Sequence, residues 1–358
     1  MLTSQLKQMI SRMIIIGFDQ QYLYKESHFA VEITKYCPGG IILFDRDFYH
    51  SKRRKNICSP DQLKKLIRQL CSYTLYPILI AIDQEGGKVS RLKPEDGFIP
   101  TPSASYLAKQ EDLTKAKKIY LDLAQQLFNM GINCNFAPVL DLAINPNNYI
   151  IVKLERSYGK SPQKVIKYAR IFCDALHNKG IISVLKHFPG HGSSNNDSHD
   201  GFADISNTWN SIELEPYQRL IQEGKADMIM TAHLFNKYLD PVYPASLSYK
   251  VNTLLLRKKL GFKGVIVSDD MQMKAISKYY SLAQATSLAI NAGINMLIFS
   301  NQLDKISLAD IVNIIYEQIK KGSISIDRIT ESNRLIENLF TKINFFNAKH
   351  NNAYKIRV

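Results

Sequence analysis

Eight short apolar runs recur along this chain, at residues 13–17, 40–44, 77–82, 133–137, 181–185, 227–231, 264–267 and 295–299. None of them alternates polar with apolar side chains. A strand with one solvated face must alternate, so these runs suit parallel strands buried on both faces. Most are separated by stretches with helical spacing, at 111–130, 162–179, 212–223, 249–259, 281–292, 303–320 and 326–340, and another helix is expected at 1–12. Ser59 followed by Pro60 predicts a capped helix start, with Leu63, Leu66, Ile67 and Leu70 as its buried stripe. Strands alternating with helices predict an α/β fold, here a TIM-like (β/α)8 barrel. The 358 residues would allow two domains, but no Pro/Gly/Ser-rich linker or break in composition divides them. The expectation is a single catalytic barrel over 1–342, with a polar, frayed tail at 343–358.

Side chains just past each strand of such a barrel converge at one end. Here they are Asp83, Arg91, Arg156, Lys186, His187, His233 and Asp269, with Asp197 and His199 in the loop after the fifth run. The densest stretch is Val184-Leu-Lys-His-Phe-Pro-Gly-His-Gly-Ser-Ser-Asn-Asn-Asp-Ser-His-Asp200. A strand cannot bury Lys and His at its tip without partners. The loop beyond is too polar to pack as core. The tip should therefore face a cleft, with the loop able to move over it. A single histidine is as well explained by the core as by a site, whereas four ionisable groups past one strand favour a site. A neutral sugar suits this mixture, because carboxylates accept from hydroxyls while Lys and Arg donate to them.

Composition narrows the partners. There are 46 Lys and Arg against 32 Asp and Glu, a net charge of +14. The basic residues are spread out, apart from Lys52-Arg-Arg-Lys55. No zinc-finger spacing or aromatic-interleaved basic motif accompanies them, so a solvated cationic surface is expected and nucleic-acid binding is not. Cys37, Cys58, Cys71, Cys134 and Cys173 are odd in number and scattered, which favours reduced thiols over a disulfide or zinc framework. The apolar run at 13–16 is too short for a signal-peptide core, and no run reaches membrane-spanning length. A cytoplasmic protein, acting away from membranes, is expected.

Five motifs in order carry a family resemblance. They are Asp83-Gln-Glu-Gly-Gly-Lys-Val-Ser-Arg91, Arg156-Ser-Tyr-Gly159, Lys186-His-Phe-Pro-Gly-His-Gly192, Asp197-Ser-His199 and Gly264-Val-Ile-Val-Ser-Asp-Asp270. Together they resemble glycoside hydrolase family 3, and within it the single-domain bacterial β-N-acetylglucosaminidases (β-hexosaminidases) that recycle peptidoglycan fragments. The resemblance spans roughly residues 10–340. It implies Asp269 as catalytic nucleophile, and Asp197 with His199 as a pair on a mobile loop, the His serving as general acid/base. It implies Asp83, Arg91, Arg156, Lys186 and His187 as the residues that hold the N-acetylglucosamine ring. It gives Asp270 no catalytic role. It also implies a monomer with no cofactor and no metal, acting on N-acetylglucosamine linked to anhydro-muramic acid or a muropeptide. An unperturbed imidazole pKa of about 6.5 suits the acid/base task at neutral pH.

The chain departs from the family pattern in three places. Lys88 stands where the family usually has Arg, which puts any role in positioning Asp83 or Glu85 in doubt. Segments 46–58 and 150–155 look unlike the usual loops, and either could reshape the mouth of the site. A cationic rim there would attract muropeptide carboxylates. Two other classes compete with this reading. A metal-dependent hydrolase would use His187, His191, Asp197 and His199 as ligands, although their spacing fits no standard zinc motif. A non-catalytic sugar-binding barrel would bind without turnover. Transfer to phosphate or to another sugar, in place of water, stays open within the enzyme reading.

Overall fold

The computed structural model describes residues 2–50, 52–194 and 203–349. The eight apolar runs become eight parallel strands: β1 (Ile14–Gly17), β2 (Gly40–Leu43), β3 (Leu79–Ile82), β4 (Cys134–Asn135), β5 (Ile182–Phe188), β6 (Met228–Thr231), β7 (Val265–Asp270) and β8 (Met296–Phe299). Each pairs with its neighbours in chain order, and β1 closes the barrel on β8, with Ile15 opposite Ile298. Their side chains are buried on both faces, which is why the runs carry no alternation.

Helices cover the outside. Ser59 caps Pro60–Ser72 by accepting the Gln62 N–H, and Leu63, Leu66, Ile67 and Leu70 are buried as the spacing predicts. Helices at Leu113–Met130, Pro162–His177, Glu215–Gln222, Leu282–Ala292 and Leu308–Lys320 fall where periodicity places them. Two others, His28–Tyr36 and Ala104–Gln110, are not anticipated from the sequence pattern; they are only 9 and 7 residues long. A small parallel pair, Ala203–Asp204 with Leu234–Phe235, lies outside the barrel and packs with Ile205, Ala232 and Trp209.

Three expectations change. The last helix, Ile326–Lys349, runs past the end expected for it at 340, and Ile343, one turn beyond Leu339 and Phe340, is still buried against the core. Residues 350–358 lie outside the described residues. Strands β5 and β7 run further than their apolar cores, so Lys186, His187, Asp269 and Asp270 are strand residues with fixed backbones. The basic run is not simply a solvated patch. Lys55 is 1% exposed and pairs with Asp19 at 2.8 Å, and Arg54 pairs with the buried Asp96 at 2.7 Å. No helix among the described residues is long and apolar enough to cross a membrane.

Candidate active site

The carboxyl ends of the strands open into a pocket of about 730 Å³. Its floor is ionic. Lys186, at the end of β5, reaches Asp83 Oδ1 at 2.9 Å and Glu85 Oε1 at 2.7 Å. Arg156 grips the same Glu85 with two parallel bonds, Nε to Oε2 at 2.7 Å and Nη2 to Oε1 at 2.8 Å. Arg91 Nη2 approaches Asp83 Oδ2 at 3.5 Å. Burial alone would push the Asp83 carboxyl up, but the charges of Lys186 and Arg91 outweigh it and hold Asp83 below the usual carboxylate range. Glu85 is likewise held below the usual range: burial opposes, and the charges of Arg156 and Lys186 dominate. Both acids are therefore ionised acceptors at neutral pH. Lys88 touches neither; it is exposed, and its ammonium lies 3.5 Å from the Lys153 carbonyl. Arg156 and Lys186 hold Glu85 instead.

His187 stands beside this cluster. Its Nδ1 lies 2.6 Å from Asp141 Oδ2, and its Nε2 lies 3.2 Å from Arg156 Nη2. A guanidinium can only donate, so Nε2 accepts and Nδ1 carries the proton towards Asp141. Asp141 also accepts the His191 N–H at 2.8 Å. Burial raises the Asp141 carboxyl, and its interactions with His187 and with the His191 N–H more than reverse that. A metal cation bound at His187 Nε2 would meet the Arg156 guanidinium head on. No group of three or more His, Cys, Asp and Glu side chains is gathered as a metal site among the described residues.

Asp269 and Asp270 enter from the opposite side, at the end of β7, and both line the pocket. Asp269 Oδ1 accepts the Asp270 N–H at 2.8 Å. Asp270 accepts from the Ser300 N–H and the Gln272 N–H, each at 3.2 Å, and pairs closely with the Ser300 hydroxyl. Burial pushes its carboxyl up to about 6 against these donors. His233 is not in the pocket wall. It is 1% exposed, lies 2.6 Å from Ser246 Oγ through Nδ1, and reaches the Asp270 carbonyl through Nε2 at 2.9 Å. It props the strand end that carries Asp269.

The segment after β5 is fixed from below. Glu213, 1% exposed, accepts the Gly192 N–H at 2.8 Å and the Ser193 hydroxyl at 2.6 Å. Burial pushes its carboxyl up to about 7. Gly190, at φ 119°, and Gly192 leave no room for a side chain: a Cβ would lie 2.6 Å from Glu213 Cβ and 1.8 Å from the Leu142 carbonyl oxygen, respectively. His191 is 3% exposed and lines the pocket, and neither ring nitrogen has a hydrogen-bond partner among the described residues. Burial lowers its pKa to about 4, so it is neutral.

The structure thus gathers Asp83, Arg91, Arg156, Lys186, His187 and Asp269 around one pocket. Asp197 and His199 lie outside the described residues. Sequence reading passes over Asp141, Glu213 and the Asp45 that pairs with Lys93 at 2.8 Å, and sees Glu85 only as a neighbour of Lys88. Among the described residues the pocket wall is not cationic as expected. Arg46, Arg91, Lys93, Arg156 and Lys186 are offset there by Asp45, Asp47, Asp83, Glu85, Asp269 and Asp270.

Fold and site together define a class: a single-domain (β/α)8 barrel with a pocket of charged and apolar side chains at the carboxyl ends of its strands. Comparison with known proteins narrows it. Residues 1–339 match the glycosyl hydrolase family 3 N terminal domain. A β-hexosaminidase from Nitrosomonas eutropha is 35% identical over 283 residues, covering 76% of this chain and 77% of that protein. β-Hexosaminidase A from Pseudoalteromonas piscicida is 32% identical over 332 residues, 87% of this chain but 54% of its own length. The structure of a family 3 β-N-acetylglucosaminidase from Paenibacillus sp. str. FPU-7 superposes with a TM-score of 0.85 at 31% identity, covering 96% of this chain and 63% of that one. This chain therefore spans little more than half of the Pseudoalteromonas relative and under two thirds of the Paenibacillus one. The chain belongs to glycoside hydrolase family 3.

Proposed function

We propose that this protein is a retaining exo-β-N-acetylglucosaminidase. It removes terminal N-acetylglucosamine from β-linked peptidoglycan fragments during cell-wall recycling in the cytoplasm. One observation carries the reading: Asp269, fixed at the end of β7, lines the same pocket as the ionic floor of Asp83, Glu85, Arg156 and Lys186. Asp83, Arg91, Arg156, Lys186 and His187 hold the sugar hydroxyls, with Asp83 and His187 Nε2 accepting and Arg91, Arg156 and Lys186 donating. The Asp269 carboxylate attacks the anomeric carbon as the glycosidic bond breaks, and His199, oriented by Asp197, protonates the leaving oxygen. Water then attacks the glycosyl–Asp269 ester with His199 taking its proton, which frees the carboxylate and returns the sugar with its original anomeric configuration. The names of the relatives support the choice of an N-acetylhexosamine.

The test is release of nitrophenol from 4-nitrophenyl N-acetyl-β-D-glucosaminide. Asp269→Asn should lower kcat by about 10³-fold or more, and His199→Ala by about 10²- to 10⁴-fold. A chelator should change neither wild type nor variants, and proton NMR should show the β anomer released first. Full activity in Asp269→Asn, or activity lost to chelator and restored by metal, would sink the mechanism.

A further inference from the structure

The pocket changes character from floor to mouth. Its floor is charged and buried, while its rim carries Phe48 and Tyr149, exposed by 54% and 67%. These rings come from different loops, after β2 and β4, and both line the one pocket. An exposed phenyl ring on a floppy loop would mean little. This one is held on several sides. The Phe48 N–H donates to Gln302 Oε1 at 3.0 Å, and Gln302 Nε2 returns a bond to the Arg46 carbonyl at 3.3 Å. Both link the loop to the segment after β8. Asp47 Oδ1 accepts from the Tyr49 and His50 N–H groups at 3.0 and 2.9 Å, closing a tight turn. The Tyr49 ring packs edge-on against Phe48 with centroids 5.2 Å apart, and its hydroxyl reaches the Leu303 carbonyl at 3.4 Å. On the other side, Asn148 fixes the start of the Tyr149 turn. Its side chain accepts the Ile151 N–H at 2.8 Å and donates to the His191 carbonyl at 2.8 Å.

An aromatic ring exposed on a restrained segment of a pocket rim can bind an apolar face at little further cost in backbone ordering. The pyranose ring of a β-linked sugar has a face of axial C–H bonds that lies against such rings. Among the described residues acids and bases are balanced around the pocket, so net charge gives its wall no preference of sign. The pocket also has more room than the ring seated on the ionic floor needs.

We propose that Phe48 and Tyr149 form the subsite for the second sugar ring of the substrate, the one that leaves, and that they recognise its apolar face. This rests on the glycosidase reading above, but binding can test it without turnover. The probes are N-acetylglucosamine and the β-1,4-linked disaccharide N,N′-diacetylchitobiose, titrated calorimetrically into Asp269→Asn protein. The disaccharide should bind about tenfold or more tightly than the monosaccharide. Adding Phe48→Ala should collapse that ratio towards one, Tyr149→Ala should reduce it in part, and Phe48→Trp should keep it. An unchanged ratio in Phe48→Ala overturns the proposal, and so does an equal loss for both sugars. If wild type releases no sugar while the ratio still falls in Phe48→Ala, the hydrolase reading fails and the subsite stands. Turnover with an unchanged ratio leaves the hydrolase reading and removes the subsite. Binding of neither sugar removes both.

Discussion

Lys186 shows how single residues set the chemistry of this pocket. One ammonium, 3% exposed at its side chain, bridges Asp83 and Glu85. Lys186→Met leaves two buried carboxylates sharing fewer cations, and breaking such a pair costs about 3–5 kcal/mol. Urea unfolding at pH 7 should show a loss of that order. Both acids are held below their usual range in the native protein, so their contribution is present above the unfolded pKa of about 4 and is lost as pH falls. The gap between wild type and Lys186→Met should therefore hold down to about pH 4 and narrow below it; a gap that stays constant below pH 4 would rule out the ion triad as its source. Two further buried groups pull in opposite directions. His191 is lowered to about 4 by burial, so the unfolded chain binds its proton more readily and stability falls as pH drops from about 6.5 towards 4. Glu213 is raised to about 7, so its native form holds the proton and stability falls as pH rises from about 4.5 to 7. Relative to wild type, Glu213→Gln should thus gain stability between pH 5 and pH 8, by up to about 3 kcal/mol. Paired urea curves at the two pH values measure it, and a change of the opposite sign would refute the assignment.

At the scale of elements, the segment linking β5 to Ser193 is tightly enclosed. Gly192 lies against the Leu142 carbonyl, one residue from the Asp141 that orients His187 and His191. A methyl there meets backbone, which cannot rotate away. Gly192→Ala should displace one loop or the other and lower kcat/KM by about 10²-fold while circular dichroism keeps the native helix signal. Near-wild-type turnover would show that the segment can shift without disturbing the pocket. The same segment marks what the sequence makes legible. Strands buried on both faces write themselves as unbroken apolar runs, so β1, β2, β3 and β8 are readable directly. Strand-end residues of β5 and β7 are readable because charge follows an apolar run at once. Asp141 breaks that rule: β4 pairs through only two residues, Pro138 follows, and the carboxylate arrives six positions after Asn135. Glu213 is invisible for another reason, since it belongs to a short helical turn that reaches the site through tertiary packing alone. His233 was legible as a strand-end group but not as a prop, because its partner, the Asp270 carbonyl, is a backbone atom on another strand.

Across the whole molecule the two ends of the barrel divide the work. The carboxyl ends of the strands carry the pocket, and the amino ends carry groups whose bonds only tie elements together. Asp227, just before β6, is the clearest of these. It takes the His177 ring at 2.6 Å, the Ser183 N–H at 3.2 Å and Lys342 Nζ at 3.0 Å, joining one outer helix, β5 and the last helix. Burial raises this carboxyl, and the bonds to His177 and Lys342 bring it below the ordinary range. A barrel that separates stability from chemistry makes a definite forecast. Asp227→Ala should cost about 3 kcal/mol at pH 7, read as a fall of several degrees in Tm, while kcat/KM at 25 °C on 4-nitrophenyl N-acetyl-β-D-glucosaminide stays at the wild-type value. Because the native pKa is depressed, the stability gap should close as pH falls through the carboxylate range. A parallel loss of kcat/KM would mean that the lower end of the barrel shapes the pocket, and the separation of the two ends would have to be abandoned.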